Sequence, residues 1–312
     1  MAQILYLCGH NFSKMKRREF IRNTSVLIPA AWSSEAIIKG FFADPWNIKM
    51  LTTDTGIFTE RGGTILFHLS KQGIVVVDSQ FPEQAGHLIA ELKKKSSQPF
   101  ELLINTHHHG DHSGGNIAFK DLVGRVLAHN NSKTNQMRVA KERNQEAGQL
   151  YPTQTFGSVW SEKIGRERIT LHYFGAGHTD GDSLIHLEKS KIVHMGDLMF
   201  NRRHPNVDRS AGASIKSWIR VLDQAIRTFN TKTTYIFGHA AEGFPVTGTR
   251  KDLEAFKSYL GAVLDFTQDA RAKGLKKEDF LKTMEFPGAG EWKGDGLARP
   301  LGAAWDELAS GT

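Results

Sequence analysis

Residues 105–116 read Asn-Thr-His-His-His-Gly-Asp-His-Ser-Gly-Gly-Asn and follow an apolar run, Phe100 to Asn105. A fold for this chain must therefore deliver a dense cluster of imidazole and carboxylate to the carboxyl end of a buried strand, which is where open α/β sheets place their sites. Within the turn the spacing is His-x-His-x-Asp-His, carried by His107, His109, Asp111 and His112. Imidazole nitrogen with carboxylate oxygen suits zinc and its first-row neighbours, whereas calcium or magnesium sites are built mainly from oxygen. In a sharply turning loop, His107 and His109 can point one way and Asp111 and His112 another, so one segment can feed two adjacent ions.

The surrounding pattern is mixed α/β. Strands are predicted over Ile48 to Thr53, Thr64 to Leu69 and Gly73 to Asp78, the last with the continuous β-branched run Ile74-Val75-Val76-Val77. A helix is predicted from Pro82 to Lys95, with proline in its first turn and three lysines at its end. Further strands are predicted over Gly124 to His129, Arg168 to Phe174, Ser183 to Glu188, Lys191 to His194 and Thr233 to Phe237. Helices are predicted over Ser132 to Gln145, Ser214 to Phe229, Arg250 to about Lys273 and Lys277 to Met284. In the second of these, Ile215, Trp218, Ile219, Leu222 and Ile226 recur at helical spacing and read as core. The Gly- and Pro-rich tail after Phe286 is read as an irregular cover, and residues 45–312 as one domain.

Of the 312 residues, 39% are hydrophobic and 23% charged, a globular balance. No run of about eighteen apolar residues occurs, so no stable membrane insertion is expected. The net charge is +7, but residues 1–34 hold five basic side chains and one acid, which account for +4 of it. The remaining charge is close to neutral, and no nucleic-acid partner is expected; a small-molecule substrate is. The basic residues lie in Met15-Lys16-Arg17-Arg18-Glu19-Phe20-Ile21-Arg22, followed by a short apolar stretch and small residues, which resembles a twin-arginine signal and predicts periplasmic or secreted location. Such signals begin at the N-terminus, so Met15 is the expected start and residues 1–34 a leader. The only cysteine, Cys8, lies upstream of it, which removes disulfides and thiolate ligands from the mature chain.

Three later residues stand where a strand gives way to a loop: His178 in Gly-His-Thr-Asp-Gly-Asp, Asp197 in Met-Gly-Asp-Leu and His239 in Phe-Gly-His-Ala. Together with the histidine turn they resemble, in order and context, the ligand set of the metallo-β-lactamase superfamily over roughly residues 46–262. The resemblance implies a four-layer αββα sandwich, with His107, His109 and His178 on one metal, Asp111, His112 and His239 on the second, and Asp197 bridging. It implies two zinc ions, with iron or manganese as alternative occupants, sharing a water whose lowered pKa makes it a nucleophile. Asp111 is expected to be both ligand and proton handler. Asp78 resembles the aspartate that steadies the ligand loop.

Alternation within the turn predicts that His108 faces outward or against backbone, and His194 reads as a packed imidazole. Asn116, Tyr173 and His204 are candidate substrate contacts. Loops over the site are expected at Phe58 to Gly63, Lys133 to Lys163 and Phe200 to Ala213, the second offering Tyr151, Phe156 and Trp160 as an aromatic wall or as core cover. The implied reaction is hydrolysis of an ester, thioester, lactone or amide. A β-lactamase is the nearest alternative, but common di-zinc β-lactamases carry cysteine at the position of Asp197 and a substrate-gripping lysine at that of Phe200, for which Arg202, Arg203 and His204 are the candidate substitutes here. Phosphodiesterase, di-iron redox and non-catalytic metal-binding roles are further alternatives; the redox scaffold carries an acid where His109 stands.

Overall fold

The computed structural model describes residues 45–294 and 296–310. The expected leader, Met15 and Cys8 lie outside them.

Seven strands form the first sheet, in the order β1 (Asn47–Met50), β2 (Thr55–Thr59), β3 (Ile65–Ser70), β4 (Gly73–Val77), β5 (Phe100–Ile104), β6 (Val123–His129), β7 (Gln154–Phe156). The first four meander antiparallel, while β4, β5, β6 and β7 run parallel. Helix α1 (Pro82–Lys95) makes the crossover from β4 to β5, α2 (Gly110–Ser113) is the short turn of the histidine loop, and α3 (Asn130–Glu142) follows β6. A second, six-stranded sheet runs β15 (Thr247–Gly248), β13 (Thr234–Ile236), β11 (Ile192–His194), β10 (Leu184–Leu187), β9 (Glu167–His172), β8 (Val159–Ile164). Two short strands, β12 (Phe200–Asn201) and β14 (His239–Ala240), pair beside it. Helices α4 (Ile215–Thr228), α5 (Arg250–Ala272), α6 (Lys277–Phe280) and α7 (Ala298–Ser310) complete the chain.

Strand periodicity sorts the core into three sheets of side chains. Val75 and Val77 of β4 point inward with Leu102 and Ile104, meeting Ile169, Leu171, Ile185 and Leu187 of the second sheet. Their neighbours Ile74 and Val76 point outward against Ala85, Leu88 and Leu92 of α1. On the far side, Leu184, Val193 and Tyr235 pack under Trp218, Leu222, Phe256 and Leu260 of α4 and α5. Helix, sheet, sheet, helix is the expected αββα order.

The differences from the sequence reading are local. The predicted first strand ends at Met50 and the chain turns back as β2, while the loop expected over residues 133–163 holds, beyond the helix predicted there, β7 and most of β8. Phe156 lies in the inter-sheet core and Trp160 packs against it, so these two of the three aromatic residues cover the core. The tail is not irregular throughout. Leu301 and Ala304 of α7 are fully buried against the α4–α5 layer, and Glu307 closes the start of α4, accepting from Ser214 Oγ at 2.8 Å and from the amides of Ile215 at 2.7 Å and Lys216 at 3.0 Å.

Candidate metal centre

Strands β5, β9, β11 and β13 end at the same edge of the sandwich, and the loops that leave them carry the predicted residues. Backbone bonds lock these loops together: Thr64 N donates to Gly238 O at 2.9 Å, Gly238 N to Gly196 O at 2.8 Å, and Ser183 N to Thr106 O at 2.8 Å. The packing leaves no room for side chains at two glycines. A methyl group on Gly238 would lie 2.0 Å from Asp197 Oδ1, and one on Gly63 2.1 Å from His112 Cε1.

All seven predicted residues converge. His107 Nε2 lies 3.1 Å and His178 Nε2 2.8 Å from His109 Nδ1, and the same two nitrogens lie 4.0 and 3.4 Å from Asp197 Oδ2. A second group gathers His112, His239 and Asp111: His239 Nε2 is 3.1 Å from Asp111 Oδ2 and 3.3 Å from His112 Nε2. Asp197 faces both groups, since its other oxygen, Oδ1, is 3.0 Å from His112 Nε2 and 3.4 Å from His239 Nε2. Ligand atoms bound tetrahedrally at zinc distances stand about 3.3 Å apart, inside the observed span. Asp197 Oδ1 is also buried and, among the described residues, meets imidazole nitrogens alone, the atoms with which it would share an ion. Donor set and geometry therefore fit a pair of first-row metal ions.

The rear nitrogens are fixed. His112 Nδ1 meets Asp78 Oδ2 at 2.7 Å, His178 Nδ1 donates to Asn206 O at 2.9 Å, and His107 Nδ1 meets Thr106 Oγ1 at 3.0 Å. Thr106 in turn donates both its amide and its hydroxyl to Asp78, each at 2.8 Å. Asp78 thus holds two points of the loop, as its resemblance implied. His109 Nε2 is held by Asp208 Oδ2 at 2.9 Å, an aspartate 99 residues away for which no local pattern existed. Such outer partners fix tautomer and ring direction.

Burial drives the His107 imidazole well below its usual range and the His178 imidazole down to about 4, so both present neutral nitrogens at pH 7. Burial would raise the Asp197 carboxyl, yet His239, His112 and His178 around it hold it well below the carboxylate range. Burial would likewise raise Asp111, but the His239 hydrogen bond and the neighbouring His112 bring it down to about 2. His112 goes the other way: burial opposes its charge, but Asp197 and Asp78 on either side raise it well above the usual range.

Several secondary expectations change. His108 is buried, not outward, with Nε2 3.6 Å from Asp208 Oδ2, because the turn does not alternate like a strand; burial pushes it down to about 3. Asn116 is a structural residue, exchanging amide hydrogen bonds with Asn105 at 2.8 and 2.9 Å. Tyr173 stacks on His129 at 4.0 Å and does not line the cavity over the centre. His204 does line it, with Nδ1 on Tyr259 Oη at 2.8 Å. His194 is packed as expected, held by Thr64 O at 2.8 Å and by Gly196 N at 3.0 Å.

The cavity holds about 560 Å³ and is floored by His109, Asp111 and His239. Its walls come from α3 (Arg138, Val139, Arg143), from residues 200–210 and from Arg299 at the start of α7. Phe200 is buried and stacks on His239 at 5.5 Å. Residues 58–63 do not line the cavity; they pack behind it, with Gly63 N donating to Asp111 O at 3.0 Å.

Comparison with known proteins agrees with this arrangement. The metallo-beta-lactamase superfamily model matches residues 54–257. A type 2 metallo-beta-lactamase of Bacillus sp. (strain 170) is 24% identical over 63% of this chain and 77% of that protein, and one of Elizabethkingia meningoseptica is 22% identical over 72% and 85%. Among solved structures, a metallo-beta-lactamase from Pontibacter korlensis superposes with a TM-score of 0.59 at 21% identity over 69% of this chain and 99% of that one. A double mutant of the sec-alkyl sulfatase PisA1 superposes with a TM-score of 0.66 at 13% identity, over 84% of this chain and 50% of that one. With the layer order and the clustered histidines, these matches establish that the chain belongs to the metallo-beta-lactamase superfamily of hydrolases.

Proposed function

We propose that the protein is a di-zinc hydrolase that cleaves an ester, thioester, lactone or amide of a small molecule. The observation that carries this reading is Asp197, whose two oxygens face separate histidine groups and can serve one ion each. His107, His109 and His178 would hold the first ion, and Asp111, His112 and His239 the second. Bound there, the pair would lower the pKa of a shared water toward neutrality and polarise the scissile carbonyl.

The chain's own residues do the rest. Asp78, Thr106, Asn206 and Asp208 hold the imidazoles in direction, so little reorganisation accompanies the reaction. Asp111 presents an edge that is 32% exposed to the cavity, and its Oδ1 has no hydrogen-bond partner among the described residues. That atom is placed to take the proton of the attacking water and return it to the leaving group. Phe200 covers His239 and keeps bulk water off that side.

A β-lactamase reading draws on the names of the relatives. Against it stand the aspartate at 197 and the buried Phe200, which has no charge with which to grip a β-lactam carboxylate. The leader-like residues 15–34 support export by the twin-arginine route, which carries folded, metal-loaded proteins; fractionation of cells expressing the full chain tests it, and retention in the cytoplasm contradicts it. The function is tested by assaying zinc-, iron- and manganese-loaded protein against β-lactams, acyl-homoserine lactones, glutathione thioesters and phosphodiesters, with His109→Ala as control. Turnover confined to carbonyl substrates and lost in the variant is expected; turnover of phosphodiesters alone overturns the reading.

A further inference from the structure

Three guanidinium groups stand at the mouth of the cavity with no acidic partner among the described residues. Arg143 follows the end of α3, Arg203 lies on the loop after β12, and Arg299 is on the first turn of α7; all three are exposed and line the same cavity. The other charged groups lining it are paired: Arg138 with Glu142 at 3.0 Å, Asp208 with His109 at 2.9 Å, and Asp111 with His239 at 3.1 Å. No acidic partner is found for Arg143, Arg203 or Arg299 among the described residues.

The placement of two of them is built in. Lys293 N donates to Arg202 O at 2.8 Å and His204 N to Lys293 O at 3.2 Å, a bridge that fastens the C-terminal segment to the loop carrying Arg203. Arg299 N donates to Gly296 O at 3.0 Å, and Glu307 anchors the other end of α7 on α4. Arg299 lies beyond residues 54–257, the part that the superfamily model matches. Like charges brought together around a polar cavity repel until an anion joins them, and the flat guanidinium fork suits the oxygens of a carboxylate, sulfate or phosphate.

Resting on the hydrolase reading above, we infer that the substrate carries, apart from its scissile bond, an oxyanion group held at the cavity mouth by Arg143, Arg203 and Arg299. Phe200 offers no charge, since its apolar ring stacks on His239, and the arginines supply it at the mouth. Hydrolysis then occurs at the floor while the anion fixes the substrate's orientation.

The test uses p-nitrophenyl esters of equal length ending in a carboxylate, a sulfonate or a neutral methyl ester, turned over by metal-loaded protein. An anionic member should be preferred by about tenfold or more in kcat/KM, and the preference should shrink toward parity in Arg203→Gln/Arg299→Gln, more weakly in Arg143→Gln, and as salt is raised. The ranking of carboxylate and sulfonate names the anion. Parity in the wild type, or a preference untouched by the double variant, overturns the inference. If no ester is turned over, the hydrolase reading is what has failed, and calorimetry decides the rim separately with benzenesulfonate against neutral methyl phenyl sulfone. Sulfonate binding about tenfold weaker in the double variant supports the rim; equal binding in both proteins, or no binding in either, rejects it.

Discussion

The two ends of the sandwich both hold buried polar side chains, and they differ in what those side chains face. At the end away from the histidine loop, a cleft of about 720 Å³ is lined by Asp54, His68, Glu167 and Lys189. It is larger than the cavity over the candidate metal centre, yet its buried polar groups are satisfied. Glu167 accepts from Lys189 N at 2.8 Å, Ser190 N at 3.1 Å and Ser190 Oγ at 2.6 Å, and His68 Nδ1 meets Thr55 Oγ1 at 2.8 Å. At the histidine end, imidazole nitrogens face each other across about 3 Å, and the two oxygens of one carboxylate face imidazole nitrogens of both groups. Closed polar networks hold a turn together, whereas a surplus of convergent, unsatisfied donors marks a place where something binds.

Five substitutions put that contrast at risk. His109→Ala removes a nitrogen from the surplus cluster, and kcat/KM on any turned-over substrate is expected to fall about 10³-fold or more, as it should after chelation of the metal. Full activity in the variant would remove the assignment. Less severe is the loss of an outer partner: Asp78→Ala or Asp208→Ala should weaken metal affinity by about 10- to 100-fold, read by competition with a chromophoric chelator. An unchanged affinity would mean that the imidazoles need no buttress.

At the opposite end the expected effect is on folding alone. Glu167→Gln leaves donors at Lys189 and Ser190 poorly matched and should cost about 1–3 kcal/mol in denaturant unfolding, with metal content as in the wild type. Metal loss in this variant would break the comparison. Smallest is Glu307→Gln, which weakens the closure of α4; about 1 kcal/mol is expected from the shift in the unfolding midpoint, and no shift would show that α7 is not needed to hold α4.

The metal-centre half of this comparison was legible in the sequence because its residues are locally clustered. His107, His109, Asp111 and His112 fall within six residues, and the later His178, Asp197 and His239 each follow a strand in a Gly-containing turn. What escaped notice depends on distance along the chain. Asp208 reaches His109 from a loop with no motif, and Arg299 lines the cavity from a helix near the end of the chain, far in sequence from the histidine turn. Helix α7 was hidden by Pro300 and Gly302, although Pro300 sits in its first turn, where proline is tolerated, and Leu301, Ala304 and Glu307 share its buried face. His108 was misplaced because alternation holds in a strand and fails in a turn.

The central claim is that Asp197 joins two metal ions, and metal analysis of Asp197→Asn beside the wild type addresses it most directly. Asparagine keeps one oxygen and replaces the other by an amide nitrogen that cannot ligate, so one half of the centre loses its carboxylate while the imidazoles remain. Inductively coupled plasma mass spectrometry should find two metal equivalents in the wild type and one or fewer in the variant. A wild type that binds a single equivalent, or a variant that keeps two, would contradict the account.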